Sequence, residues 1–279
     1  MRAEFVKRGL PLAALSMGLA SCFEVDVTIN GEEGVPLSEL EMAGAAPTEL
    51  LLAGSDTIII TEGDELAIDV EGSDEAVDAV RFVLDDDVLG VTREEEFWNL
   101  DESATIRITM PSPKDITITG SGNIEAETLS AASDISILGS GSLIAQSAAA
   151  SDIDVTMGGS GSAKLGSVQA QKVEISIGGS GSVSMEGTTE ELEVNLAGSG
   201  GARLADFKAD DVQVSVLGSG SAKLQSDGTV EADIMGSGSV SVSGNATCTE
   251  NAMGSGSLIC EAPKSTAGEN DESNEPSAE

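Results

Sequence analysis

The chain contains no histidine and no tyrosine, a single tryptophan (Trp98), and only 13 basic residues against 49 acidic ones. Without histidine it lacks the side chain most often used as a general base or metal ligand near neutral pH. With aromatics at 2% of 279 residues, it lacks the rings that usually fill a globular core of this length. A formal charge of −36 repels nucleic acid and anionic lipid headgroups, so neither is expected as an electrostatic partner. Such a charge also keeps copies soluble, as an acidic, solvated surface. Only three cysteines are present, at positions 22, 248 and 260.

The chain's first residues read as an address. Arg2, Lys7 and Arg8 precede the apolar run 9–20, which is too short for a comfortable membrane span. It ends in Leu19-Ala20-Ser21-Cys22, a pattern similar to the lipobox of bacterial lipoproteins. The resemblance implies that residues 1–22 are a signal peptide ending at the lipobox cysteine, and that Cys22 is acylated and becomes the mature N-terminus. A plain secretory signal with an incidental cysteine is the alternative. Acyl chains would tie the protein to a membrane, each buried methylene contributing roughly 0.8 kcal/mol. Phe23 after the cysteine, in place of Asp, resembles the sorting pattern for the outer membrane. With Cys22 lipidated, Cys248 and Cys260 remain as a pair in an oxidising compartment. A disulfide is expected there, two buried thiols being the other outcome.

What the chain has in abundance is small and aliphatic: 40% hydrophobic residues and 33 glycines. Gly-Ser-Gly begins at Gly120, Gly139, Gly159, Gly179, Gly198, Gly218, Gly236 and Gly254, at intervals of 18 to 20 residues. A fixed period near twenty marks a solenoid. Two residues before each of these glycines stands an apolar side chain, from Ile118 to Ala252. Three before stands a polar one, from Thr117 to Asn251. Four before, the apolar column runs from Ile116 to Ala232 and breaks only at Glu250. After the turn the alternation resumes at Ile124 and its equivalents and closes at Cys260. Period two means a strand with one face buried. The expected fold is therefore all-β: a single-chain β-helix of about eight coils, each a strand, a glycine corner and a second strand. Stacking at roughly 4.8 Å gives a rod of roughly 35–40 Å with a narrow aliphatic core. The Gly-rich corners are not phosphate cradles, because no Lys-Ser/Thr follows and no helix begins there. They carry Ser where a calcium-binding repeat needs Asp, so no metal and no cofactor is expected.

A Gly-Ser-Gly corner every twenty residues in a lipidated chain resembles the head GIN domain of the auto-transporter adhesin family. The run Asp56-Thr57-Ile58-Ile59-Ile60-Thr61-Glu62-Gly63-Asp64 looks like that family's opening strand and turn. Thr105 to Pro111 followed by Ile116 to Gly122 looks like its transition into the repeats. The resemblance covers residues 50–261, with N-terminal strands at 50–112 and repeats at 113–261. It implies a β-helical fold, an envelope location, and adhesion by analogy of fold. The expectation is a noncatalytic, lipid-anchored envelope protein, adhesin or surface scaffold, that binds a glycan or protein through its solenoid faces. The extreme acidity departs from the family and bears on the partner.

Around this body, residues 23–49 read as an acidic tether and 262–279 as a disordered acidic tail. Strands at 57–60, 66–70, 80–84, 88–91 and 106–110 are expected to cover the N-terminal end against edge-to-edge association. Asp85-Asp86-Asp87 and Glu94-Glu95-Glu96 flank a hairpin, as solvated turns or, alternatively, as calcium ligands. Cys248 and Cys260 lie six residues either side of the last corner, on the inward parity, where a disulfide would pin the last coil. The competing reading is a β-helix enzyme that cleaves polysaccharides. It would use Lys164, Arg203 and Lys223, which share one offset after the corner, near Asp206, Asp210 and Asp211. A third reading presents flat Ser/Thr columns to ice or a crystalline polysaccharide.

Overall fold

The computed structural model describes residues 34–42, 44–85, 87–94 and 102–261. Cys22, Phe23, most of the expected tether, Trp98 and the tail 262–279 lie outside the described residues.

The chain enters through a 3-10 turn at Leu37–Glu39 and strands β1 (Glu49–Gly54), β2 (Thr57–Glu62) and β3 (Ala67–Glu71). Helix α1 (Asp74–Ala79) follows, started by Ser73, whose hydroxyl accepts from the Ala76 amide at 3.3 Å. That hydroxyl satisfies one of the first-turn amides that have no partner inside the helix. Next come β4 (Val80–Asp85), β5 (Val88–Arg93) and β6 (Thr105–Met110). The repeats supply β7 (Asp115–Gly120), β8 (Asn123–Leu129), β9 (Asp134–Gly139), β10 (Ser142–Ala149), β11 (Asp152–Gly159), β12 (Ser162–Gln169) and β13 (Lys172–Gly179). In the middle coils the strand bends without breaking, so β14 (Ser182–Gly198), β15 (Gly201–Gly218) and β16 (Ser221–Gly236) each run most of a turn. The last coils are β17 (Ser239–Ser243), β18 (Thr247–Gly254) and β19 (Ser257–Glu261).

The repeats pair parallel and in register. Gly120, Gly139, Gly159, Gly179, Gly198, Gly218, Gly236 and Gly254 form one column, so the eight corners enclose seven turns of a β-solenoid. The column explains the glycine. Each has φ between +112° and +129°, and a Cβ there would lie 2.3–2.7 Å from a backbone carbonyl oxygen one coil below. A side chain is excluded by conformation and by space together. That same carbonyl accepts from the serine amide above it, as in Ser140 to Gly120 at 2.8 Å. Inside, alternate residues such as Val173, Ile175 and Ile177 belong to one continuous buried cluster running from Leu50 to Val242. Truncating one of these, as in Ile177→Ala, costs about 2–5 kcal/mol.

Four features differ from the sequence expectation. First, the N-terminal strands are not only a cover. Gly54 stacks under Gly120, so Gly54-Ser55-Asp56 is a further corner and β1–β2 a full rung. This rung lies between β5–β6 on one side and β7–β8 on the other, all parallel. Among the described strands β3 and β4 run antiparallel, on β6 and β5, and close the end. Second, the last part of the expected tether is docked: Val35 exchanges backbone hydrogen bonds with Phe82, and Leu37 and Leu40 pack on the core. Third, the interior is not purely aliphatic. Phe82 and Phe207 are fully buried, Phe207 where the register between β15 and β16 shifts and opens space. Fourth, Asp85 and Glu94, one from each acidic run, lie at opposite ends of the β4–β5 hairpin, which does not fit the alternative of the two runs as joint calcium ligands. Asp86, Glu95 and Glu96 lie outside the described residues.

Candidate functional site

The flat outer face of the strands that precede the corners is organised into three columns, one residue per coil. Furthest from the corner is an acidic ladder: Glu49, Asp115, Asp134, Asp154, Glu174 and Glu193, each registered on the next. Burial, with Asp134 and Glu49 alongside, pushes the Asp115 carboxyl up to about 6. Burial likewise raises Asp154. Towards the C-terminal end the ladder is diluted by Gln213 and Thr249. The middle column is the polar one read in the sequence, including Thr156, Ser176, Asn195, Ser215, Asp233 and Asn251.

The third column stands immediately before the corner and points outward. Its members from Leu138 are Gly158, Gly178, Ala197, Leu217, Met235 and Met253, again in register. Leu138, Leu217, Met235 and Met253 are 46%, 58%, 54% and 71% exposed. A shallow recess of about 780 Å³ runs along the face, bordered by Leu138, Leu217, Met235 and Met253 and lowest at the three small residues Gly158, Gly178 and Ala197. Four large apolar side chains thus stack in contact with water along one face of a body of net charge −36. This column was not picked out from sequence, although its signal was present: the residue before each corner is outward by parity and should have been polar.

On the other side of the corner, Lys164, Arg203 and Lys223 do share one outward column, with Ser184 between Lys164 and Arg203. None of the ion pairs among the described residues involves them. The nearby exposed pair is Lys208 with Asp227, at 2.7 Å, where each partner holds the other in its charged form. Asp206 pairs in register with Glu186 instead of a base. Among the described residues no group of three or more Asp, Glu or Cys side chains is placed to hold a metal, and no helix is long and apolar enough to cross a membrane.

The two ends of the stack are built differently. At the N-terminal end, Asp56 takes the place of the inner corner glycine and is fully buried. It accepts from Arg93 Nε at 2.8 Å, from Arg93 Nη2 at 2.5 Å and from the Ala104 amide at 2.7 Å. Its hydrogen bonds hold the buried guanidinium protonated more firmly than an ordinary arginine, against the opposing effect of burial. At the C-terminal end, Cys248 and Cys260 are joined in a disulfide across the last corner, Cα to Cα 6.7 Å. Glu250, the one break in the inward pattern, accepts from the Leu258 amide at 2.9 Å, so its carboxylate spans the open mouth of the coil.

Fold and face together define a parallel β-solenoid with an exposed apolar stripe on one face. The chain belongs to the family described as "Putative auto-transporter adhesin, head GIN domain", which it matches over residues 46–246. No curated protein shows significant similarity to it. Among solved structures it is similar to a "putative lipid binding protein" from Parabacteroides distasonis, at 20% identity and a TM-score of 0.70, covering 78% of this chain and 93% of that one. It is similar also to a "putative adhesin" from Parabacteroides merdae, at 18% identity and a TM-score of 0.60, covering 77% and 92%. A further "putative adhesin", from Bacteroides fragilis, matches at 19% identity and a TM-score of 0.55, covering 78% and 93%. At these identities the likeness is one of fold; none of the three is described as an enzyme.

Proposed function

We propose that this chain is a noncatalytic adhesin of the bacterial cell envelope, anchored through Cys22 in the outer membrane, that engages its partner through the outward face before the corners. The observation that carries the reading is the stripe of exposed Leu and Met side chains around a recess floored by Gly158, Gly178 and Ala197. Exposed apolar side chains elsewhere, Met42, Ile144 and Ile259, stand singly; here four stack on one face, and water is in contact with side chains that gain by leaving it. The family description supports adhesion and a surface or envelope location.

The test compares cells producing the full chain with cells producing Met235→Glu. Adhesion is measured to an immobilised glycan panel, to phosphatidylglycerol vesicles and between cells. The expected result is adhesion of the parent chain in at least one format and its loss in the variant. Adhesion indifferent to Met235→Glu, or turnover of a glycan that depends on Lys164 or Arg203, would overturn the reading. Fractionation with protease shaving checks the location, and retention in the membrane fraction should disappear with Cys22→Ser.

A further inference from the structure

Gly158 and Gly178 are not there for the backbone. Neither has a positive φ, unlike the corner glycines Gly159 and Gly179 beside them. A Cβ on Gly178 would meet nothing nearer than the Met157 carbonyl oxygen at 3.8 Å. A Cβ on Gly158 would meet only Leu138 Cδ2 at 3.2 Å, the far end of a flexible side chain. Other coils carry Leu or Met at this position, and glycine inside a strand weakens it. The recess is therefore a property of the surface that the fold does not demand.

Its shape is self-complementary. From Gly158 to Met253 the column reads three small residues, then three large ones, one per coil. A half-turn about an axis along the strand direction, between the Ala197 and Leu217 coils, sets the column against itself in reverse. Ala197 then meets Leu217 of a second copy, Gly178 meets Met235, and Gly158 meets Met253. The same operation sets Asn195 on Ser215, Ser176 on Asp233 and Thr156 on Asn251, so the charge in the polar column meets a hydroxyl. The parallel alternative sets Leu217 on Leu217 and glycine on glycine, ridge against ridge. In the acidic ladder the reversed arrangement opposes Glu174 to Glu231, but sets Glu193 on Gln213 and Asp154 on Thr249. Six coils by one strand length cover about 29 Å by about 20 Å. Over two copies that is about 1,200 Å², at the lower limit of specific interfaces, the size class of weak, transient contacts.

We propose that two copies of this chain associate face to face and antiparallel, the Leu217–Met235–Met253 ridge of each filling the recess of the other. This inference rests on the adhesive reading of the face and names its partner as a second copy, through a two-fold, closed contact. The experiment is sedimentation equilibrium of the purified full chain in detergent across the micromolar range, with a size swap between the paired positions. Gly178→Met and Met235→Gly are each expected to raise the dissociation constant at least ~10-fold, and the two together in one chain to return it to within ~3-fold of the parent. Added salt should tighten the parent association, because Glu174 and Glu231 repel. Thermal melts by circular dichroism verify that each variant is folded; should Met235→Gly fail, the exposed Met235→Glu replaces it as the disrupting variant. A parent chain that stays monomeric, or a swap that weakens association further than either single change, would overturn the proposal. If the chain is monomeric while Met235→Glu still abolishes adhesion to glycans or vesicles, the pairing is wrong and the adhesive reading stands. If the swap behaves as expected while adhesion ignores Met235→Glu, the pairing stands and the adhesive reading falls.

Discussion

The two ends of this solenoid meet the same difficulty with different chemistry. A stack of parallel coils leaves an open core and unpaired strand edges at each end. At the N-terminal end the chain folds back: β3 and β4 reverse direction, α1 and the 3-10 turn cover the opening, and the Asp56–Arg93 pair is sealed within. At the C-terminal end the last coil has no cover among the described residues, and its inward positions Glu250, Ala252 and Cys260 are exposed. There the fastening is the Cys248–Cys260 disulfide together with the hydrogen bond from the Leu258 amide to Glu250. One end gains its stability from packing and a desolvated ion pair. The other depends on a covalent link placed where packing runs out.

The comparison can be broken most sharply at Asp56. Asp56→Ala leaves Arg93 buried without its counter-ion, and a loss of about 3–5 kcal/mol in global unfolding free energy is expected by denaturant titration. Reducing the disulfide should act only at the other end. The bond closes a 12-residue separation, which corresponds to about 2–3 kcal/mol in the chain-entropy picture. Hydrogen exchange should then quicken in β18 and β19, with β1 to β6 unchanged; faster exchange at both ends would mean the ends are coupled.

The ends should differ in pH response as well. The folded-state value of Asp115, about 6, lies above the ordinary 3.8, so the native chain holds this proton more tightly than the unfolded one. Stability from this group is fully present at low pH and is lost as pH rises from about 4 to about 6. Asp115→Asn is expected to flatten that part of the melting-temperature profile, whereas Gln213→Asn, in the same column near the other end, should leave it alone. The smallest effect is expected at Glu250. Glu250→Ala removes one exposed hydrogen bond, so the loss should stay under about 1 kcal/mol and be visible only as faster exchange at Leu258.

Much of this was legible in the chain before folding. The eight corners announce themselves because glycine alone suits a positive φ beneath a neighbour's carbonyl, and parity around them tells inside from outside. The Gly54 corner was hidden because Asp56 replaces its second glycine, a substitution that works only where Arg93 and the Ala104 amide wait to receive the carboxylate. The order of the N-terminal rungs was hidden too. Inserting β1–β2 between β5–β6 and β7–β8 is a choice of partners between segments far apart in sequence, and alternation within a segment does not name its neighbour. The acidic ladder and the Leu/Met stripe were invisible for a related reason. Each is a column assembled from residues 18 to 20 positions apart, or more at Glu49, and no local window contains two of its members.

By itself the sequence determined the repeat length, the corner chemistry, the inward face and the aliphatic make-up of most of the core, because each is a local requirement on backbone angles or on contact with water. Tertiary structure alone decided which strands lie side by side, how the ends are closed and where exposed apolar side chains gather around a recess. Those follow from register between distant coils, and register is settled by stacking the whole rod at once.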